Sequence, residues 1–132
     1  MGAWYHATKH AVEGWSDCLR LELKEFGIDV VVVEPGIIKT PWGAIATENL
    51  RKTSGSGAYA SFANKIAANF EKMGASKQPT DADVLGQTIA KAATDKKPKT
   101  RYVKGYMAAL TIFIRKWFGD SVFDKVIMSQ VK

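Results

Sequence analysis

Six residues, Ile28-Asp29-Val30-Val31-Val32-Val33, constrain this chain more than any others. They are almost unbroken apolar and β-branched, which is how a parallel strand covered on both faces reads. Gly27 before them suits the left-handed cap of a helix. Glu34-Pro35-Gly36 after them is a break that no helix or central strand passes through. Helix, short turn, buried strand and Pro-Gly loop make half of a doubly wound α/β arrangement, in which ligands bind outside the carboxyl ends of the strands. Such a strand demands neighbours. The sequence offers one more, Arg101-Tyr102-Val103-Lys104 ended by Gly105. Two short strands alone make a poor sheet with open edges, so the pattern asks for a partner half.

The helix before Gly27 is expected over residues 3–26. Val12, Trp15, Leu19, Leu23 and Phe26 recur on it at three and four, giving an apolar stripe, and Ala7, Ala11 and Gly14 form a second, small-residue side. Tyr5 and Lys9 are four apart and share a face. A cation held beside a phenol favours the phenolate, which makes the pair a candidate general acid/base. The spacing alone is common, and its plain alternative is two amphipathic residues on a solvated face. Geometry adds an expectation. From Lys9 to Phe26 is ~26 Å of helix, and from Ile28 to Pro35 is ~23 Å of strand. With the chain reversed at Gly27, Pro35-Gly36 should return beside Lys9 and Thr40 should arrive near Tyr5, across an open crevice.

Tyr5-His6-Ala7-Thr8-Lys9, the apolar strand, and Pro35-Gly36-Ile37-Ile38-Lys39-Thr40 resemble the short-chain dehydrogenase/reductase family in its Tyr-x-x-x-Lys and Pro-Gly-x-x-x-Thr motifs. The nearest resemblance is to hydroxysteroid-dehydrogenase-like bacterial oxidoreductases. It covers residues 3–42 and extends more softly to 79–93 and 101–105. It implies an oxidoreductase that uses NAD or NADP to interconvert a carbonyl and an alcohol. By resemblance Tyr5 exchanges the proton, and Lys9 supports it and hydrogen-bonds the nicotinamide ribose. Pro35, Gly36, Ile37 and Ile38 would line the nicotinamide, Thr40 would bond its carboxamide or the diphosphate, and Trp42 would face substrate. His6 and His10 receive no catalytic role. The family's glycine-rich fingerprint, catalytic serine and structural asparagine precede its tyrosine. The chain therefore looks like the C-terminal half of one Rossmann-like domain, mostly helical by residue count and expected to be inactive alone. A homo-oligomer is implied in the full-length context.

The remainder reads as support. Residues 1–40 form the catalytic helix, strand and loop. Residues 41–78 correspond to the family's variable substrate loop, with helices expected over 44–52 and 59–73. Its aromatics Trp42, Tyr59 and Phe62 suit a bulky apolar substrate or simple packing equally. Residues 79–132 supply a closing helix begun by Thr80 as N-cap, the last strand, and helices over 106–118 and 121–129 separated by Gly119-Asp120. Hydrophobic residues make up 46% of the 132, a globular composition. Cys18 stands alone, so it forms no internal disulfide or metal cluster and reads as a small buried hydrophobe. No signal peptide is evident, and a cytoplasmic protein without metal is expected. The net charge of +6 gathers in Lys96-Lys97-Pro98-Lys99-Thr100-Arg101 and Lys104. A solvated loop before an edge strand accounts for it better than nucleic acid or membrane binding. The rival to the enzyme reading is a noncatalytic module that pairs through apolar helix faces.

Overall fold

The computed structural model describes residues 2–76, 79–129 and 131. Helix α1 (Ala3–Glu22) tightens into a 3₁₀ turn at Lys24–Phe26 and stops at Gly27, whose φ of 68° is the left-handed cap its sequence promised. The stripe expected to be buried is not. Val12, Trp15 and Phe26 are exposed, whereas Ser16 is buried and Glu13, Asp17 and Arg20 are half-buried. The apolar side finds nothing in this chain to pack on, so the helix turns its polar side toward the sheet. Cys18 is exposed as well, contrary to its reading as a buried hydrophobe.

The strand is shorter and later than the apolar run. Strand β1 is Val32–Pro35, and residues 28–31 form no ladder. A strand exists only where a partner pairs with it, and the partner β4 (Arg101–Lys104) is four residues long. The two are parallel, with Val32 opposite Arg101 and Pro35 opposite Lys104. The Val32 N–H donates to the Thr100 carbonyl at 2.9 Å and the Gly36 N–H to the Lys104 carbonyl at 2.8 Å. Alternation turns the even residues toward β4. Pro35, with no N–H, falls on the odd set and forfeits no bond to β4. That is why Glu34 and Pro35, expected to end the strand, lie inside it.

Three contacts that the sequence did not announce tie down the segment after β1. Strand β2 (Ile38–Lys39) pairs in parallel with β3 (Thr80–Asp81). The Ile37 N–H donates to the Tyr106 carbonyl at 2.9 Å, and the Tyr106 N–H donates to the Thr80 hydroxyl at 2.9 Å. Thr80 therefore braces the loop, and Asp81 takes the N-cap position of α4 (Ala82–Thr94) without a side-chain capping bond. Helices α2 (Trp42–Ser54) and α3 (Ala60–Gly74) pack as a hairpin over Thr47, Ala63 and Ala67, with an Arg51–Glu71 ion pair at its surface. Helix α5 (Ala108–Ser129) breaks at Gly119, φ 70°, dividing it where the sequence placed the divide.

The core is thin. Val32, Ala63, Ala67, Ala92 and Ala108 are the buried apolar residues among those described. A closed protein of 14.5 kDa exposes roughly 6,900 Å², and this chain exposes 9962 Å². Large apolar surfaces on α1 and α5 are left uncovered.

Candidate active site

Tyr5 and Lys9 lie on the first turns of α1, in line with the buried Ser16 at helical spacing, so they share the side that meets the sheet. The Lys9 ammonium sits over the Tyr5 ring, 5.4 Å from its centroid. Neither the Tyr5 hydroxyl nor the Lys9 ammonium has a hydrogen-bond or ion-pair partner among the described residues. Both side chains are exposed. The Tyr5 ring meets the ring of Trp42, with centroids 5.8 Å apart and planes tilted by 35°. His6 stands edge-on to Tyr5, and the His10 Nδ1 lies 3.0 Å from the His6 carbonyl, a local helical contact.

Trp42 opens α2 directly after the loop that leaves β1, so the contact sets Tyr5 at the carboxyl end of that strand. The middle of α1 agrees. Arg101, first residue of β4, donates to Glu13 Oε2 at 2.9 Å and to both Asp17 oxygens at 2.9 and 3.0 Å. Its Nε also donates to Glu34 Oε1 at 3.0 Å. Helix and strand are thus antiparallel, and the proposed pair and the 35–40 loop occupy one edge. The two carboxylates hold the Arg101 guanidinium above its ordinary range, and hydrogen bonds from Arg20 and Arg101 hold the Asp17 carboxyl below its own. Sequence reading missed this cluster and treated Arg101 as part of a solvated basic stretch. The available signal was Glu13 and Asp17, four apart on one side of α1.

In the loop, Pro35 and Thr40 are exposed, and Gly36, Ile37 and Ile38 are half-buried. Gly36 has a reason of its own to be glycine. A Cβ there would lie 2.2 Å from the Tyr106 carbonyl oxygen and 2.9 Å from the Ala108 nitrogen. The close approach it permits in this chain is to the entry of α5. A surface cleft of about 500 Å³ is lined by Thr80, Val84, Lys104 and Tyr106 among others. It contains neither Tyr5 nor Lys9. No group of three or more His, Cys, Asp or Glu among the described residues could hold a metal ion. No helix among them is long and apolar enough to cross a membrane.

These features define an α/β protein with a tyrosine and a lysine presented at the carboxyl edge of a parallel sheet. Residues 1–51 match the model of the short chain dehydrogenase family. The whole chain is 36% identical over 132 residues to a Helicobacter pylori protein named "Probable short-chain type dehydrogenase/reductase", covering 96% of this chain and 46% of that one. It is 36% identical over 133 residues to an NADPH-dependent 3-dehydrocapnine reductase of Ornithobacterium rhinotracheale, covering 97% and 44%. Rat 17-beta-hydroxysteroid dehydrogenase type 6 is 28% identical over 137 residues, covering 93% and 41%. No solved structure matches the chain at a comparable level. The chain belongs to the short-chain dehydrogenase/reductase family, and it spans half or less of the length of the curated relatives it matches.

Proposed function

We propose that this chain supplies the acid/base part of an NAD(P)-dependent oxidoreductase site that interconverts a carbonyl and an alcohol. The observation that carries the reading is that the Tyr5 hydroxyl and Lys9 ammonium have no hydrogen-bond partner among the described residues and that the Tyr5 ring meets Trp42, just past the 35–40 loop. In reduction the Tyr5 hydroxyl donates its proton to the substrate oxygen, and in oxidation the phenolate takes it back. The Lys9 cation stabilises that phenolate and has donors left for the ribose hydroxyls of a nicotinamide nucleotide. Ile37 and Ile38 offer the ring an apolar wall, and Thr40 offers its carboxamide a hydroxyl. The bound cofactor would supply the hydride. Trp42 and the α2–α3 hairpin stand where substrate would enter, and their exposed rings suit a bulky apolar molecule. We take NADPH as the first cofactor to test, in line with the reductase relative.

By this reading these residues supply only the acid/base part of the site, so the 132 residues alone turn over no NAD(P)H. In the full-length context we place the enzyme in the cytoplasm as a homo-oligomer without nucleic-acid or membrane partners. The uncovered apolar faces of α1 and α5 favour one rival, a noncatalytic module that pairs through them. Joining this chain behind the preceding part of the H. pylori relative separates the two. NADPH oxidation with a panel of aldehydes and ketones is expected. A folded, dimeric product that binds no NADPH or NADH would support the rival instead.

A further inference from the structure

Helix α1 carries the proposed catalytic pair, yet most of its large apolar side chains are exposed. Trp4, Val12, Trp15 and Leu21 are all more than half exposed, at 87%, 52%, 64% and 70%. In the middle of the helix Ser16 is buried and Leu19 half-buried, and the polar tie from there to the sheet is one guanidinium. Arg101 on β4 binds Glu13 and Asp17 of α1 on one side and Glu34 of β1 on the other. We infer that Arg101 is a positioning residue for the Tyr5–Lys9 pair, fixing how far α1 has slid along the sheet. The inference rests on the proposed function for its consequence, not for its geometry.

The lengths agree. From the midpoint of Glu13 and Asp17 to that of Tyr5 and Lys9 is eight helical steps, ~12 Å. From Val32, level with Arg101, to Gly36 is four strand steps, ~13 Å. Clamping the carboxylates at Arg101 therefore sets Tyr5 and Lys9 level with Pro35-Gly36. The clamp also selects a single register. A slip of one turn, ~5.4 Å, would bring Lys9 or Leu21 to the guanidinium in place of one carboxylate. Only the observed register offers it two. A planar fork with five donors can hold three carboxylates on two elements, which an ammonium on a flexible stem cannot reproduce.

Cys18 is the one cysteine and is exposed on α1, so a nitroxide there reports the position of α1 along the sheet. In the 132-residue chain, relaxation of amides along β1 and β4 should centre near Val32 and Arg101. Arg101→Met should shift or spread that profile by about one turn, ~5.4 Å, and abolish the NOEs between Tyr5 and Trp42. Arg101→Lys should restore them in part. Amide shifts of α3 and of α2 beyond its first turn should stay unchanged in every variant. The double variant Glu13→Gln/Asp17→Asn leaves β4 intact and should repeat the Met result. An unchanged profile with intact NOEs in either altered protein overturns the inference. So does loss of α2–α3 structure in both, which would make the clamp a general support of the fold. In the joined enzyme, Arg101→Lys should lower kcat with KM for NADPH nearly unchanged. If Tyr5→Phe there leaves turnover intact, the catalytic reading fails while the relaxation profile still decides the register.

Discussion

The rings of Tyr5 and Trp42 meet with centroids 5.8 Å apart, although a helix, a turn, a strand and a loop separate them in the chain. The contact exists because the segment from Gly27 through β1 runs back antiparallel to α1, so the chain after the strand returns to the start of the helix. Trp42 therefore borders whatever reaches the Tyr5 hydroxyl. In a complete enzyme Trp42→Ala should raise KM for bulky apolar carbonyl substrates several-fold more than for small ones, with kcat less affected. Steady-state kinetics on a graded series of ketones checks this, and equal effects across the series would remove Trp42 from the substrate side.

Glycines 36 and 86 should respond to alanine in opposite directions. At Gly36 the new Cβ would collide with the Tyr106 carbonyl and the Ala108 amide, both backbone. Such overpacking costs about 1–3 kcal/mol or more. At Gly86, inside α4, a Cβ meets nothing within 4 Å, and alanine should stabilise by about 0.5–1 kcal/mol. Urea unfolding of the two variants reads both signs.

Acid should weaken the tie between α1 and the sheet. Hydrogen bonds from Arg20 and Arg101 depress the Asp17 carboxyl from its ordinary 3.8. A carboxyl depressed by folding contributes stability that is present above its unfolded value and lost as pH falls through the folded one. Denaturation midpoints should therefore be flat in Asp17's contribution above about pH 5 and decline below about pH 4. Asp17→Asn should make the decline shallower. An identical slope in the variant would show that the carboxylate adds nothing.

The helix-ending parts of the fold were legible in sequence because they depend on local rules. Gly27 ends its helix through a left-handed φ and Gly119 divides α5, whereas the break read at Glu34-Pro35 falls inside β1. The misreadings share one physical origin. Burial on α1, the extent of β1 and the exposure of Cys18 depend on what lies beside them, and periodicity assumes that something does. The apolar stripe of α1 is real as a pattern, but only Leu19 and Leu23 of it are even half-buried in this chain. Arg101 escaped notice for the related reason that its three carboxylates come from two distant elements. Thr80 had the composition of a cap, yet a backbone amide from Tyr106 claimed its hydroxyl.

Lys9 should prove distinct from Tyr5 when each is removed. Lys9 is assigned two tasks, support of the phenolate and contact with the ribose, so Lys9→Ala should lower kcat and weaken NADPH binding together. Fluorescence titration of NADPH beside turnover would show it, and unchanged cofactor affinity would take the ribose contact away from Lys9.

The most direct measurement is turnover of Tyr5→Phe in an enzyme completed by the preceding part of a relative. The substitution removes one hydroxyl and keeps the ring against Trp42, so folding and NADPH affinity should stay within a few-fold of the parent. Loss of the general acid should cut kcat by ~100–10,000-fold. Turnover within a few-fold of the parent, with NADPH still bound, would contradict the assignment of Tyr5 as the proton donor.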